Sequence, residues 1–272
     1  MPEILLTGAN GFLGKEVVRL LNEHDYNFAG VGRNISTSSK LSCDLSILED
    51  VIKLLEKTSP KIIINLAASA DFLEKNPSSL FSINTLLPAI FAEYCIKNNS
   101  HLIQASGIIV HGFSHVHFSK KTELKPDNAY GKTKLLADQI ITMSGCQASI
   151  LRLGGIFGDN GPLHLGINKA IIEAKKGTPP RIINTGSAKR NYIFVKDVAL
   201  AIIDTLEKGL TGIHYLGGET KTIKSMLNDI CDIFLPGNQP EHIEGPESQD
   251  QLIESDNNFK ITPFRLALEE MV

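Results

Sequence analysis

Cysteine is scarce in this 272-residue chain, and its four copies, Cys43, Cys95, Cys146 and Cys231, form no C-x-x-C pair. That excludes a disulfide scaffold or a zinc knuckle and predicts buried, reduced thiols and no metal site. An excess of charge of one sign is also missing. The 27 basic and 30 acidic residues leave a net charge of −3, so no basic field points to a nucleic-acid partner. Long hydrophobic runs are absent: stretches such as Ile62-Ile63-Ile64 fall far short of the ~20 residues of a bilayer span. Met1-Pro2-Glu3 passes directly into Ile4-Leu5-Leu6 without a basic leader, which predicts no signal peptide, no membrane partner and a cytoplasmic location. Repeats and low-complexity tracts are lacking as well.

What remains is an ordinary globular composition, 42% hydrophobic and 21% charged. Its length fits one core with a small appended lobe, because single cores stop growing near ~250–300 residues. The spacing of apolar residues and breaks predicts alternating elements. Glu3–Thr7 reads as a strand, Gly8 as a turn and Gly11–Leu21 as a helix. Strands Phe28–Val31 and Leu41–Cys43 follow, then a helix over Ile47–Glu56 and a buried strand over Lys61–Leu66. Ser79–Lys97 predicts a long helix kinked at Pro88. His101–Gln104 and Ser149–Leu153 predict strands on either side of a helix over Ala129–Met143.

This alternation requires a parallel sheet wrapped by helices on both faces. After Gly154-Gly155, breaks such as Asp159-Asn160-Gly161-Pro162 and Gly177-Thr178-Pro179-Pro180 punctuate shorter elements. Residues 1–155 are assigned to the sheet domain. Residues 156–272 are assigned mainly to a smaller lobe over the carboxyl ends of the strands, with parts of 186–216 returning to the sheet domain.

Between the first strand and helix lies Thr7-Gly8-Ala9-Asn10-Gly11-Phe12-Leu13-Gly14. Gly8 permits a tight turn, Gly11 lets a pyrophosphate approach the backbone, and Gly14 lets helix and strand close up. The anion would rest on the free N–H groups at the positive end of the helix. Gly8, Asn10, Gly11, Phe12, Leu13 and Gly14 are therefore assigned to a dinucleotide. Arg33, at the end of the second strand, favours a 2′-phosphate and hence NADP(H), with NAD(H) as the alternative. Asp44, next to Leu45, reads either as an adenine contact or as the cap of the following helix.

Tyr130 and Lys134 stand one helical turn apart in Tyr130-Gly131-Lys132-Thr133-Lys134. Lowering a phenol by ~3 pKa units takes about 4 kcal/mol, a task for the ammonium and an oxidised cofactor ring together. Tyr192 and Lys196 repeat the spacing within an extended β-branched run, so Tyr130 and Lys134 are the proposed proton-transfer pair.

These motifs resemble the extended short-chain dehydrogenase/reductase family, in its nucleotide-sugar epimerase, dehydratase and reductase branch. The likeness runs almost end to end. Thr7–Gly14 resembles its TGxxGxxG turn, Asn65-Leu66-Ala67-Ala68 the segment beside its cofactor, and Ser82-Ile83-Asn84-Thr85 its asparagine-bearing helix. Thr122-Glu123 and Pro126 resemble its lead-in to the tyrosine, and Leu151-Arg152-Leu153 with Ile156-Phe157-Gly158 its "LRxxxxYG" segment. Arg190–Val198 is similar to "RDFIHVDDV", and Asp256–Glu270 to its closing segment. The short length and the wording around Ile64–Ala68 lean toward dTDP-4-dehydrorhamnose-reductase-like members.

The resemblance implies a doubly wound Rossmann sheet with a small C-terminal substrate lobe and a homodimer through helices of the sheet layer. It implies that Leu66, Ala67, Ala68 and Asn84 serve the cofactor and that Arg190 meets the diphosphate of a nucleotide sugar. The chemistry implied is reduction of a 4-keto sugar, with Tyr130 as general acid and Lys134 on the nicotinamide ribose. Epimerisation or dehydration of such a sugar is the alternative.

One position departs from the family pattern. Gly107 stands where a serine or threonine is expected, four residues before His111, which itself replaces the tyrosine of "VYG". Ser106, or a backbone N–H near Gly107, is then assigned the oxyanion, and His111 and Gly107 the sugar pocket. His111, His115 and His117 otherwise read as solvated loop histidines. The missing hydroxyl also opens a reading from another class, an NAD(P)-binding regulatory protein without catalysis.

Overall fold

Short runs of branched and leucine residues, each closed by a glycine, asparagine or proline break, assemble into one sheet in this computed structural model, which describes residues 1–32, 40–69 and 77–272. Its strands are β1 (Ile4–Thr7), β2 (Phe28–Gly32), β3 (Lys40–Ser42), β4 (Ile62–Asn65), β5 (His101–Gly107), β6 (Ala148–Leu153) and β7 (Gly212–Leu216). They lie in the order β7-β6-β5-β4-β1-β2-β3. β1 pairs in parallel with β2 on one side and with β4 on the other. The strand order therefore reverses at β1, and sheets of this kind bind ligands outside the carboxyl ends of the strands at that point. The fold is the mostly parallel, helix-flanked α/β sheet expected from the sequence.

The chain divides into two compact units, and the division is not linear. The first comprises Met1–Phe113, Glu123–Arg152 and Ala199–His214. It contains α1 (Phe12–Glu23), α2 (Leu48–Thr58), α3 (Pro77–Phe81), α4 (Leu87–Asn98) and α5 (Ala129–Ser144). α1 turns Val17, Val18, Leu20 and Leu21 inward, each contributing about 1.5–3 kcal/mol by burial. Leu5, Val31, Ile63, Leu102 and Ile150 of the sheet form a cluster with Val51 and Leu55 of α2 and Phe91 of α4.

The long helix is interrupted, but one turn earlier than Pro88. Ser82–Leu86 forms a π-helical turn, in which Leu87 N–H bonds Ser82 O, and Pro88 sits at the start of α4. A proline has no N–H for the carbonyl four residues back and crowds it, so the widened turn falls just upstream. The 22-residue stretch Pro77–Asn98 is long and apolar enough to cross a membrane by length and composition, which a reading of apolar runs missed. Leu80, Leu87, Phe91 and Cys95 are nevertheless buried in the unit's interior.

The second unit comprises Ser114–Thr122, Leu153–Val198 and Tyr215–Val272. Four two-stranded pieces build it, among them Ile193–Phe194 beside Ile156–Phe157 and Glu241–Ile243 beside Arg181–Ile183. Its helices are α6 (Gly166–Lys175), the start of α7 (Val195–Lys208), α8 (Ile223–Phe234) and α9 (Phe264–Glu269). Phe157 packs against Phe194 and Phe264, with centroids 5.6 Å and 4.8 Å apart. Asp197 accepts from both Thr262 N and Thr262 Oγ1 at 2.7 Å.

Candidate functional site

The turn after β1 is shaped by two close approaches. Gly8 has φ +72°, and a Cβ there would lie 2.8 Å from the Leu66 carbonyl carbon. A Cβ on Gly14 would lie 2.0 Å from Gly8 O, so helix and turn close only around hydrogen. α1 begins after Gly11, which has no side chain to cap it, and its first turn carries no acidic residue. Its amino end therefore keeps its positive potential for an anion.

Beside this turn is a cavity of about 490 Å³, within the range of small-molecule sites. Gly8, Asn10, Gly11, Asp44, Leu45, Leu66, Ala67 and Ala68 line it. Phe12, Leu13, Gly14 and Asn84 are not in its lining, and Arg33 lies outside the described residues. Gly32, Ser46, Ser69, Ser79 and Ile83 line it too, and sequence reading missed them. For Ser46 a signal was present: Asp44 Oδ1 accepts from Ser46 N at 3.0 Å and from Ser46 Oγ at 2.7 Å, an ordinary aspartate turn. The helix-cap alternative for Asp44 is thereby corrected, since Ile47 occupies the cap of α2.

The cradle fits a dinucleotide, because side-chain-free backbone meets an uncapped helix end. Gly14→Ala is expected to weaken dinucleotide binding on the order of tenfold or more in a fluorescence titration. Unchanged affinity would show that the close approach is not needed.

Asn84, buried inside the π-helical turn, ties the cavity wall to α5. Its Oδ1 accepts from Ser69 N at 2.9 Å, and its Nδ2 donates to Ser69 O at 2.9 Å and to Thr133 Oγ1 at 3.2 Å. It thus braces the cavity from behind.

α5 starts where Asn128 Oδ1 accepts from Gly131 N at 2.8 Å, a cap of about 1 kcal/mol. That start sets Tyr130 and Lys134 on one face. Lys134 is buried, and its Nζ donates to Ala105 O at 2.6 Å. Burial pulls its pKa down to about 8, while Asp138 one turn on works to raise it. Burial pushes the half-buried Tyr130 phenol above its ordinary value. The lowered phenol expected from the sequence is not what burial alone produces.

Ser106, to which the oxyanion is assigned, lies near the end of β5. It is buried on β5 with an Oγ that closes no hydrogen bond of ordinary geometry, as is Asp138 Oδ1. The hydroxyl nevertheless helps to hold down the Asp138 carboxyl. Burial drives that carboxyl upward, and Arg152 opposes the rise through an ion pair of 3.0 Å. The Ser106 side chain thus lies toward Asp138 of α5, the helix that carries Tyr130 and Lys134. Gly107, which ends β5, offers no side chain of its own.

His111 is fully buried, with Nδ1 2.9 Å from Glu123 O. It ties the turn Ile108–His111 to Glu123. Its neighbours His115 and His117 belong to the other unit, and no group of three His, Cys, Asp or Glu gathers as a metal site among the described residues.

In the second unit, Arg190 Nη1 donates to Lys189 O at 2.9 Å and Gln249 O at 2.5 Å. Lys196 pairs with Glu270 at 2.9 Å, a structural engagement at the start of α7.

Comparison with known proteins accords with this geometry. Residues 4–218 match the model of the NAD dependent epimerase/dehydratase family. The chain is 26% identical over 248 residues to a probable low-salt glycan biosynthesis reductase of Haloferax volcanii, covering 84% of this chain and 79% of that protein. It is 24% identical over 286 residues to methionine adenosyltransferase 2 subunit beta of Xenopus tropicalis, covering 98% and 86%. A crystal structure of dTDP-glucose 4,6-dehydratase from Bacillus anthracis in complex with NAD matches with a TM-score of 0.82 at 19% identity, over 100% of this chain and 95% of that one. That likeness is one of fold.

Proposed function

The chain belongs to the NAD dependent epimerase/dehydratase family, and from that premise we propose that it reduces a 4-keto group on a nucleotide-linked sugar. The observation that carries this reading is the pairing on α5, where Lys134 is anchored at Ala105 O and Tyr130 stands one helical turn before it. A reduction starts with the phenol as acid, whereas epimerisation or dehydration starts by withdrawing a proton from an alcohol. A glycan biosynthesis reductase among the relatives and the reductase-like wording around Ile64–Ala68 support reduction over these alternatives.

Gly8, Asn10, Gly11, Asp44 and Leu66–Ala68 would hold the dinucleotide, whose reduced nicotinamide supplies a hydride. Tyr130 gives its hydroxyl proton to the carbonyl oxygen as the new C–H bond forms and the carbonyl π pair moves onto oxygen. Lys134, charged below about pH 8, favours the phenolate left behind. Ser106, or a backbone N–H near Gly107, would steady the oxygen. Arg190 is the proposed contact for the diphosphate.

Arg33 follows β2 directly, which supports NADPH over NADH. A charge-assisted contact to the 2′-phosphate contributes about 1.5–3 kcal/mol, so NADPH should bind roughly ten- to a hundredfold more tightly. Equal affinities in a competition titration would remove this preference.

Gly107, where the family has a hydroxyl, favours a second reading, a regulatory protein that binds the dinucleotide without turning it over. A subunit is also among the relatives by its description. NADPH oxidation against a panel of nucleotide-linked keto sugars separates the two. Oxidation with one of them supports the reductase, while tight binding with no oxidation on any supports the second reading.

A further inference from the structure

A row of buried polar side chains crosses the sheet below the glycine turn. The parallel register sets Thr7 beside Asn65 and Asn65 beside Gln104, so all three share one face. Thr7 Oγ1 donates to Asn65 Oδ1 at 2.5 Å, Asn65 Nδ2 to Gln104 Oε1 at 2.8 Å, and Gln104 Nε2 to Ala105 O at 2.8 Å. At most 1% of each of the three residues is exposed.

The direction of every bond is set from one end. Ala105 O can only accept, so Gln104 must turn its NH₂ toward it and its own carbonyl toward Asn65. Asn65 must then present its NH₂ to Gln104 and its oxygen to Thr7, whose hydroxyl is left to donate. Thr7 Oγ1 in turn accepts from Ala67 N at 3.2 Å, and Ala67 lines the cavity. At the other end, Ala105 O is the same oxygen that receives Lys134 Nζ.

We infer that Asn65 and Gln104 are positioning residues, forming a polarised ladder that fixes the carbonyl holding Lys134 and ties it to the cavity wall at Ala67. This rests on the proposed part of Lys134 in proton transfer. Both side-chain amides point their positive ends toward Ala105 O, and bonds chained in this way strengthen one another. The last NH₂ and the ammonium share the two lone pairs of one oxygen. The amide's positive end therefore works against the charge on Lys134, as burial does. Asp138 on the same helix works for it; Tyr130 on α5 and Arg152 on β6 are the other titratable or charged groups of this cluster, while Ser106 on β5 carries no charge.

Gln104→Met has similar length and removes both bonds. It should lower kcat for keto-sugar reduction by about tenfold or more, with KM for the dinucleotide close to wild type. The side-chain NMR titration of Lys134 should move upward from about 8, which a purely structural role would not produce. A folded variant with unchanged kcat and unchanged Lys134 titration overturns the inference. Should that variant not fold, Asn65→Leu, which is of similar size and removes the middle of the ladder, must show the same loss of kcat; wild-type kcat there overturns it too. If Tyr130→Phe leaves reduction untouched, the proposed reaction falls by itself. The Lys134 titration then decides the ladder alone, a shift supporting it and no shift overturning it.

Discussion

Replacing Tyr130 with phenylalanine is expected to cut keto-sugar reduction by roughly 10²–10⁴-fold, the usual contribution of a positioned general acid. Dinucleotide affinity should stay near wild type, because Tyr130 lies outside the cavity lining. The pH dependence carries the same signature. Burial raises the phenol, so the acid form persists through neutral pH and is lost only well into the alkaline range. Lys134 loses its proton near pH 8, so the first alkaline fall in kcat belongs to the lysine. That fall should be present in wild type and absent from the residual rate of Lys134→Met. Wild-type turnover in Tyr130→Phe would remove the tyrosine from the chemistry.

The second large effect is on stability. Arg152 and Asp138 are almost fully buried and pair at 3.0 Å. Arg152→Met leaves the carboxylate without its cation, a change that costs about 3–5 kcal/mol for buried pairs. In a domain of this size the melting temperature should fall on the order of 10 °C. The double replacement Arg152→Met with Asp138→Leu should recover much of that loss, because neither partner of the pair is then left buried without the other. A melting curve of Arg152→Met that overlays wild type would mean that Asp138 is protonated in the folded protein.

The parts of the molecule legible in sequence are those set by local spacing. The glycine turn, the β-strands around it and the start of α5 at Asn128 follow from residues within one or two turns of chain. The break in the long helix was visible as Pro88, yet its form was not, because a π-helical turn depends on which carbonyl the missing N–H releases. His111 and Ser106 were read as facing a ligand because the family pattern puts reactive groups near them. Their burial was not legible, because it comes from packing against residues distant in sequence, Asp138 for Ser106 and Glu123 for His111. The Thr7–Asn65–Gln104 row was invisible for another reason: it exists only through the register of three strands far apart in sequence.

Deuterium transfer is the most direct test of the chemistry at Tyr130 and Lys134. NADPH carrying deuterium on its transferring ring carbon should deliver the label to the former carbonyl carbon of a nucleotide-linked sugar, with a much slower transfer in Tyr130→Phe. Tight dinucleotide binding with no label in any keto sugar offered would contradict it.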